Sequence, residues 1–203
     1  EWNIPHFEKM LYDQAGIAIA CLDAFQITQK EEYAEMARDI FQYVLRDLKA
    51  KGEGEEGGIY SAEDADSEGV EGKFYLWTRP QIQEVLGQEK AITFLKFFVG
   101  KSEAKNAEPA GLHMRTDAPT PSEAEKASLK ECLGELFHAR CSRVRPHLDK
   151  NILTDWNSFM VIALAHGARI LGDEMWRDAA LNCMNFLLTK MFNPSTGVLL
   201  HHF

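Results

Sequence analysis

Acidic and aromatic side chains are concentrated in one short stretch of the chain, residues 57–78. Carboxylates this close repel one another, and a cation, a polar ligand or a shared proton offsets that repulsion. Aromatic rings stack on the C–H faces of a sugar, while carboxylates accept hydrogen bonds from its hydroxyl groups. The pattern therefore indicates a catalytic or sugar-binding loop, with a solvated acidic turn as the alternative. The residues are Glu63, Asp64, Asp66, Glu68 and Glu71 among Tyr60, Phe74, Tyr75 and Trp77.

A calcium loop of the helix–loop–helix kind is a further interpretation, because acids at Asp64, Asp66 and Glu68 alternate before Gly69. Such a loop needs a bidentate glutamate at its twelfth position. Tyr75 stands at that position, and the flanks favour strands rather than helices. We therefore predict no metal and no cofactor for this stretch.

The same stretch predicts a β-hairpin insert over about residues 57–78. Residues 59–61 and 74–77 are rich in strand-forming side chains, so we expect them to form its arms. Gly69 and Gly72 permit the turn between them.

Two helices are predicted to be apolar nearly all round, at about 7–29 and 154–171. The central part of the first carries only Asp23 as a charged residue, and the second carries only Arg169 beyond its first turn. A helix without a polar face is expected to be surrounded by protein.

Each of these helices precedes an amphipathic helix, at about 31–50 and 173–191, and then a glycine-containing turn into a short strand. The same order of elements thus occurs at 7–62 and again at 155–203. This order predicts helix pairs with the first helix inside and the second outside, and such pairs closed into a ring form an α/α toroid.

The middle of the chain reads differently. Its pattern predicts two short helices, an irregular connector and one longer helix with Ser122 as its N-cap. The predicted ranges are about 79–87, 88–99, 100–121 and 122–140.

Composition narrows the class of protein. The 203 residues carry a formal net charge of −9 without a basic run, which argues against a nucleic-acid partner. No apolar segment is long enough to span a bilayer, so we predict no membrane partner.

The four cysteines are widely spaced without a CxxC motif, which is typical of free thiols in a reducing compartment and hence of a cytoplasmic protein. Because the chain starts at Glu1 within structured-looking sequence, we expect an excised fragment.

Three motifs, in order, resemble hallmarks of the YyaL-like proteins, which include the spermatogenesis-associated, thioredoxin-domain-containing proteins. The first is WxxPHFEKMLYDQA at residues 2–15. The second is YSAEDADS followed by EGxFYxWT at residues 60–78. The third is RPHxD followed by ILTxWN at residues 145–157. Two departures fall in the third region: Lys150-Asn151 stands where the family has Asp-Lys, and Ser158 replaces a glycine.

The resemblance implies an all-α fold with short β-hairpins, a partial (α/α)6 toroid of the six-hairpin glycosidase type. That fold is related to sugar epimerases and glycoside hydrolases. On this interpretation residues 1–203 are a fragment of one toroid domain. The parent protein is expected to carry a thioredoxin-like domain, which would be a partner of this one.

The first functional hypothesis is an enzyme acting on a saccharide, either glycosidase-like or epimerase-like, because the motif residues are expected to converge near the inner helix ends. A histidine titrates near neutrality, and paired carboxylates serve glycoside cleavage. The predicted catalytic residues are His6, Glu63, Asp64 and Asp66. The predicted substrate-binding residues are Trp2, Glu8, Lys9, Tyr12, Asp13, Tyr60, Tyr75, Trp77, His147, Asp149, Asp155, Trp156 and Asn157.

Two other hypotheses stay open at this point. The domain would hold a sugar, a peptide or a partner domain without chemistry, working with the thioredoxin-like domain. Alternatively it is a structural fragment, and exposed inner-helix surface would then make it self-associate.

Overall fold

The computed structural model describes residues 5–98 and 109–203. Two compact units divide the chain. The first unit comprises Glu1–Phe7 and Ala65–Pro146, and the second unit comprises Glu8–Asp64 and His147–Phe203. Trp2 and residues 100–108 of the predicted connector fall outside the described residues.

Helices dominate the described ranges, and every strand in them is two residues long. In chain order the elements are β1 (Lys9–Met10), α1 (Leu11–Thr28), α2 (Glu31–Tyr43), β2 (Ala62–Glu63), β3 (Asp66–Ser67), β4 (Val70–Glu71), α3 (Arg79–Phe97), α4 (Glu123–Arg140), β5 (Leu148–Asp149), α5 (Thr154–Leu171), α6 (Glu174–Phe186), β6 (Phe192–Asn193) and β7 (Val198–Leu199). Single π-helical turns, Val44–Leu48 and Leu187–Met191, extend α2 and α6.

The second unit consists of two helical hairpins, α1 with α2 and α5 with α6, and α1 also packs on α5. Small residues allow close approach between helices. A Cβ added at Gly167 of α5 would lie 2.4 Å from the ring of Phe41 in α2. The predicted fold class, all-α with helical hairpins and short strands, is confirmed.

The first unit is a pair of helices, α3 and α4, beside the β3–β4 hairpin. Both helices begin with a capping box, formed by Thr78 with Gln81 and by Ser122 with Glu125. The predicted N-cap at Ser122 is thus confirmed. The predicted break between two short helices is a kink in α3 at Gly87, where φ is +73°.

The expectation that α1 and α5 are enclosed by protein on all sides is wrong for the described residues, although both helices are apolar nearly all round. Helix α1 buries Leu11, Ala15, Ala18 and Leu22, whereas Ile17 is 53% exposed. Helix α5 likewise leaves Ile162 49% exposed. Within the described part of the second unit, the neighbouring helices cover one stripe of each of these two helices.

The hairpin between residues 57 and 78 is shorter than its sequence predicts. Residues 59–61 and 74–77 do not pair with each other: Ile59 bridges Lys49, and Trp77 bridges Ala110. The β3–β4 turn consists of Glu68 and Gly69, both with positive φ, as a two-residue hairpin turn requires.

Candidate functional site

Three chain segments that are far apart in sequence meet in one antiparallel sheet of the second unit, in the order β1-β2-β5. Lys9 pairs with Glu63, and Glu63 pairs with Leu148. All three sequence motifs contribute to this sheet. It lies at the start of α1, because the Leu11 amide donates to the Ser61 carbonyl at 2.8 Å.

One face of the sheet points into the core. Directly opposed residues of antiparallel strands share a face, so Lys9, Glu63 and Leu148 lie together. Glu63 is only 2% exposed, and the Tyr43 hydroxyl of α2 donates to its Oε2 at 2.8 Å. Leu148 packs against the main hydrophobic core. We therefore assign Glu63 the role of anchoring the sheet to α2 rather than contacting a ligand.

The other face carries Met10, Ala62 and Asp149, of which Ala62 is buried, and an exposed polar residue at the end of each strand. One step further along the same register lie Glu8, Asp64 and His147, and all three are exposed. The pairing of the last two is supported by a hydrogen bond from the Asp64 amide to the His147 carbonyl at 2.8 Å. In the described part of the chain, no group of three His, Cys, Asp or Glu residues is placed to hold a metal ion.

An aromatic pair lies at the start of α1 and α5. Tyr12 in the first turn of α1 contacts Trp156 in the first turn of α5, with ring centroids 4.8 Å apart and an interplanar angle of 69°. Tyr12 is 40% exposed and Trp156 is half-buried, so both rings present area to solvent. Asp13 and Asp155 occupy the same first turns and are exposed. Rings beside carboxylates can hold a sugar-like ligand.

Two of the predicted binding residues act within the protein. The Asn157 amide is buried and makes four hydrogen bonds, two of them with the backbone of Ile59. Tyr60 is 3% exposed, its hydroxyl donates to Glu55 Oε2 at 2.7 Å, and burial raises the pKa of this tyrosine. Their hydrogen bonds position the segment that leads into β2.

Asp149 is half-buried at the edge of the same sheet. Its Oδ1 accepts hydrogen bonds from the backbone amide of Asn151 at 3.1 Å and from the Asn151 side chain at 2.7 Å. Asn151 is one of the two departures from the family pattern, and its side chain closes this turn. Asp149 therefore shapes the loop between β5 and α5.

The remaining predicted site residues belong to the first unit. His6 is exposed, and Asp66 is exposed in β3 opposite Glu71. Tyr75 stacks on Phe7, with ring centroids 5.8 Å apart. Trp77 is 3% exposed. The convergence of these residues with those of the second unit stays a prediction.

Arg143 has a positioning role that its sequence context did not reveal. Its Nη1 donates to the carbonyl oxygens of Phe74 at 3.0 Å and Leu76 at 2.7 Å, and its guanidinium lies 3.9 Å from the centroid of the Trp77 ring. Burial, together with the charge of Arg140, lowers the pKa of Arg143. Arg143 and Phe74 are 69 positions apart in the chain, so no local sequence pattern indicates this contact.

A cavity of about 540 Å³ lies beside this arginine in the first unit. Its lining is mixed, with Phe74 and Leu76 among the apolar residues and Glu71, Lys73 and Gln81 among the polar ones. Lys73 forms an ion pair with Glu68 at 2.8 Å. The Tyr12–Trp156 pair belongs to the other unit.

Comparison with known proteins shows what this chain of helical hairpins is similar to. No family model matches the chain. It is 36% identical, over 98% of its length, to human spermatogenesis-associated protein 20, and 38% identical, over 97%, to the protein of that name from Rattus norvegicus. The chain spans only 29% and 28% of those two relatives. It is thus a homologue of one segment of the spermatogenesis-associated proteins, and the recognition based on three motifs is confirmed.

Solved structures similar to this chain include a D-mannose isomerase, with a TM-score of 0.29 and 12% identity over 97% of this chain and 45% of the other. A cellobiose 2-epimerase from Bacillus thermoamylovorans gives a TM-score of 0.27 and 11% identity over 96% of this chain and 64% of the other. At such TM-scores these likenesses carry no argument about this chain.

Proposed function

We propose that the chain is part of a saccharide-binding domain, and that the ligand lies on the second unit beside Tyr12 and Trp156. The observation that carries the proposal is the partly exposed aromatic pair next to Asp13 and Asp155. The exposed area of an aromatic ring offers an apolar surface to a sugar, and neighbouring carboxylates accept hydrogen bonds from hydroxyl groups. Trp156 packs against the hydrophobic core but stays partly exposed, and Tyr12 is largely exposed, in contrast to the buried ring of Trp176.

The proposed ligand class also agrees with the charge of the site. A neutral polyol makes hydrogen bonds to carboxylates without the repulsion that an anion would meet. The proposed domain keeps the two forms predicted from the motifs. In one it transforms the saccharide, as a glycosidase or an epimerase would, and in the other it holds the ligand or the thioredoxin-like domain without chemistry.

Binding can be tested by titrating monosaccharides and disaccharides into the protein while recording its tryptophan fluorescence and, by calorimetry, the heat of binding. We expect one or more sugars to change the emission of the wild-type protein, and Trp156→Phe to remove that change. Tyr12→Ala should weaken binding at least tenfold, whereas Tyr33→Ala in α2 should leave it unchanged. A panel that produces neither heat nor an emission change would refute the proposal.

Turnover separates the two forms of the proposal. Sugars that bind are incubated with the protein, and products are resolved by chromatography. A new isomer or a cleaved glycoside assigns the enzyme, and binding without product assigns the non-catalytic module.

A further inference from the structure

The second unit contains one helical hairpin twice, in repeat 1 (Glu8–Asp64) and in repeat 2 (His147–Phe203). The first helices, α1 and α5, are both 18 residues long, and the second helices, α2 and α6, are both 13 residues long. Leu11 and Thr154, where α1 and α5 begin, are 143 positions apart, and every helix boundary up to the end of the π-helical turns keeps this spacing. The two repeats are therefore equivalent residue by residue over these helices.

A returning segment follows each hairpin and pairs with the start of that hairpin's first helix. The two returning segments are residues 59–63 in repeat 1 and residues 199–203 in repeat 2. The first amide of α1 donates to the Ser61 carbonyl at 2.8 Å, and the first amide of α5 donates to the His201 carbonyl at 2.9 Å. Ser61 and His201 thus occupy equivalent positions, and so do Ile59 and Leu199, which precede them by the same number of residues.

Repeat 2 covers the outer edge of the returning segment in repeat 1. The side-chain amide of Asn157, the fourth residue of α5, forms hydrogen bonds with both backbone groups of Ile59 at 2.9 Å. The Ser61 amide donates to the Asn151 carbonyl at 2.9 Å, and β2 pairs with β5. Ile59 is only 2% exposed as a result.

The same edge of the returning segment in repeat 2 is open. The Leu200 amide donates to the Met191 carbonyl at 2.8 Å, so Leu199 and Phe192 form a non-hydrogen-bonded pair of the β6–β7 hairpin. In such a pair the N–H and C=O groups of both residues point away from the partner strand. The backbone of Leu199 therefore faces the outer edge, and the residue is 57% exposed. An open strand edge is a template for a further chain segment.

The second helix of repeat 2 exposes apolar residues where that of repeat 1 is covered. Phe41 in α2 is fully buried and lies against Gly167 of α5, whereas Met184, its equivalent in α6, is 37% exposed. Leu45 is half-buried, whereas its equivalent, Leu188, is exposed. Apolar residues at positions that only a further neighbour would bury indicate a docking surface.

We propose that Met184, Leu188, Leu199 and Leu200 form a docking face for a third helical hairpin of the same kind. Leu200 belongs to this face because its equivalent, Tyr60, is buried by the neighbouring repeat. Docking of a third hairpin continues an interface that the second unit already contains between its two repeats. The chain spans only 29% of human spermatogenesis-associated protein 20, and we assign the third hairpin to another part of the same longer protein. The inference does not depend on saccharide binding.

Two residues of α5 define what the third hairpin must contain. Asn157 is the fourth residue of α5, so the third hairpin carries a carboxamide at this position of its first helix, bonded to the Leu199 backbone. Gly167 is the fourteenth residue of α5, and a Cβ there would lie 2.4 Å from the Phe41 ring. The third hairpin therefore carries a small residue at this position, opposite Met184. A short strand ahead of its first helix, equivalent to β5, completes the open edge.

Docking at the strand edge is tested by appending a further copy of His147–Phe203 to the full chain through a glycine–serine linker and following amide exchange by NMR. In the chain itself we expect the Ile59 amide to exchange slowly and the Leu199 amide rapidly. In the extended chain the original Leu199 amide should exchange about tenfold more slowly. Asn157→Ala in the appended copy alone should restore rapid exchange at Leu199 and leave the Ile59 amide protected.

Docking at the helix face is tested by the reactivity of a thiol placed there. Met184→Cys is introduced into the original repeat 2 in a Cys141→Ser background, which removes the exposed native thiol. The new thiol should react rapidly in the chain itself and about tenfold more slowly in the extended chain. Met36→Cys, at an exposed position of α2 outside the docking face, should react equally fast in both.

Unchanged exchange at Leu199 together with unchanged thiol reactivity overturns the proposal. An appended copy that remains unfolded by circular dichroism also overturns it, because a complementary face should support its folding. Sedimentation of the chain without the appended copy tests the other occupant. A dimer that Met184→Glu dissociates would show that a second copy of the chain covers this face, which overturns the assignment to a third hairpin. A monomer at all concentrations agrees with that assignment.

Discussion

Asn157 and Ile59 hold each other through a reciprocal pair of hydrogen bonds. The Ile59 amide donates to Asn157 Oδ1 at 2.9 Å, and Asn157 Nδ2 donates to the Ile59 carbonyl at 2.9 Å. The second hydrogen of this amide goes to the Leu153 carbonyl at 2.9 Å. A side chain on α5 thus takes the place of a β-strand partner for the segment that enters β2, and this contact fixes the position of the candidate site.

Replacing Asn157 with alanine should destabilise the protein strongly. The substitution leaves the buried amide and carbonyl of Ile59 without partners. Unpaired buried groups of this kind should lower the free energy of unfolding by about 3 kcal/mol. Urea denaturation followed by circular dichroism measures it. Asn182→Ala, at an exposed position of α6, is the matched control and should cost less than about 0.5 kcal/mol. Equal effects of the two substitutions would contradict the assigned role.

Gly167 is expected to tolerate no side chain. A Cβ there would lie 2.4 Å from Cε2 of Phe41, so Gly167→Ala overpacks the contact between α5 and α2 and should cost about 2 kcal/mol. Gly16 in α1 offers the control, because its added Cβ would lie 3.7 Å from the Phe159 ring, an ordinary contact. Gly16→Ala should gain about 0.5 kcal/mol from helix propensity. The opposite order in thermal denaturation would show that these helices approach differently.

Local features of this chain were predictable, because they depend on neighbouring residues. The capping box of Ser122 with Glu125 is formed as its spacing predicts. The helix pairs also follow from hydrophobic periodicity within each segment. Tertiary placement was less accessible: the sequence placed the hairpin arms at 59–61 and 74–77, which pair elsewhere.

In the candidate site, too, the local features were predictable from the sequence and the tertiary placement was not. The motifs identified the segments that carry Glu8, Asp64 and His147, but their facing arrangement arises from strand pairing across more than 80 residues of intervening chain between Asp64 and His147. Glu63 and Asp64 are neighbours in sequence with equivalent chemistry, and only the register decides which one is buried. For this reason sequence reasoning assigned both to catalysis.

We expect the carboxylate of Glu125 to make the free energy of unfolding decrease at low pH. Its carboxylate accepts a hydrogen bond from the Ser122 amide and another from Lys96, and these lower its pKa to about 2. Because the pKa is lower in the folded state than in the unfolded state, the contribution is present above the unfolded pKa of 4.5 and is lost as the pH falls towards 2. Glu125→Gln should remove this part of the pH dependence of the unfolding free energy between pH 4.5 and about pH 2. A variant with the wild-type pH profile in urea denaturation would contradict the prediction.

Cys183 should give the opposite pH dependence. Burial raises the pKa of its thiol from 9.0 to about 12, so the folded protein keeps the neutral thiol that the unfolded chain loses. Its contribution is therefore fully present below pH 9 and declines as the pH rises towards 12. The difference in unfolding free energy between the wild type and Cys183→Val should shrink from pH 8 to pH 10.

Titration with a thiol reagent at pH 8 checks the same burial, because the exposed Cys141 should react at once and Cys183 only after unfolding. Rapid labelling of Cys183 in the folded protein would show that the contact with Asn157 opens readily, and the anchor of the candidate site would then be weaker than its hydrogen bonds indicate.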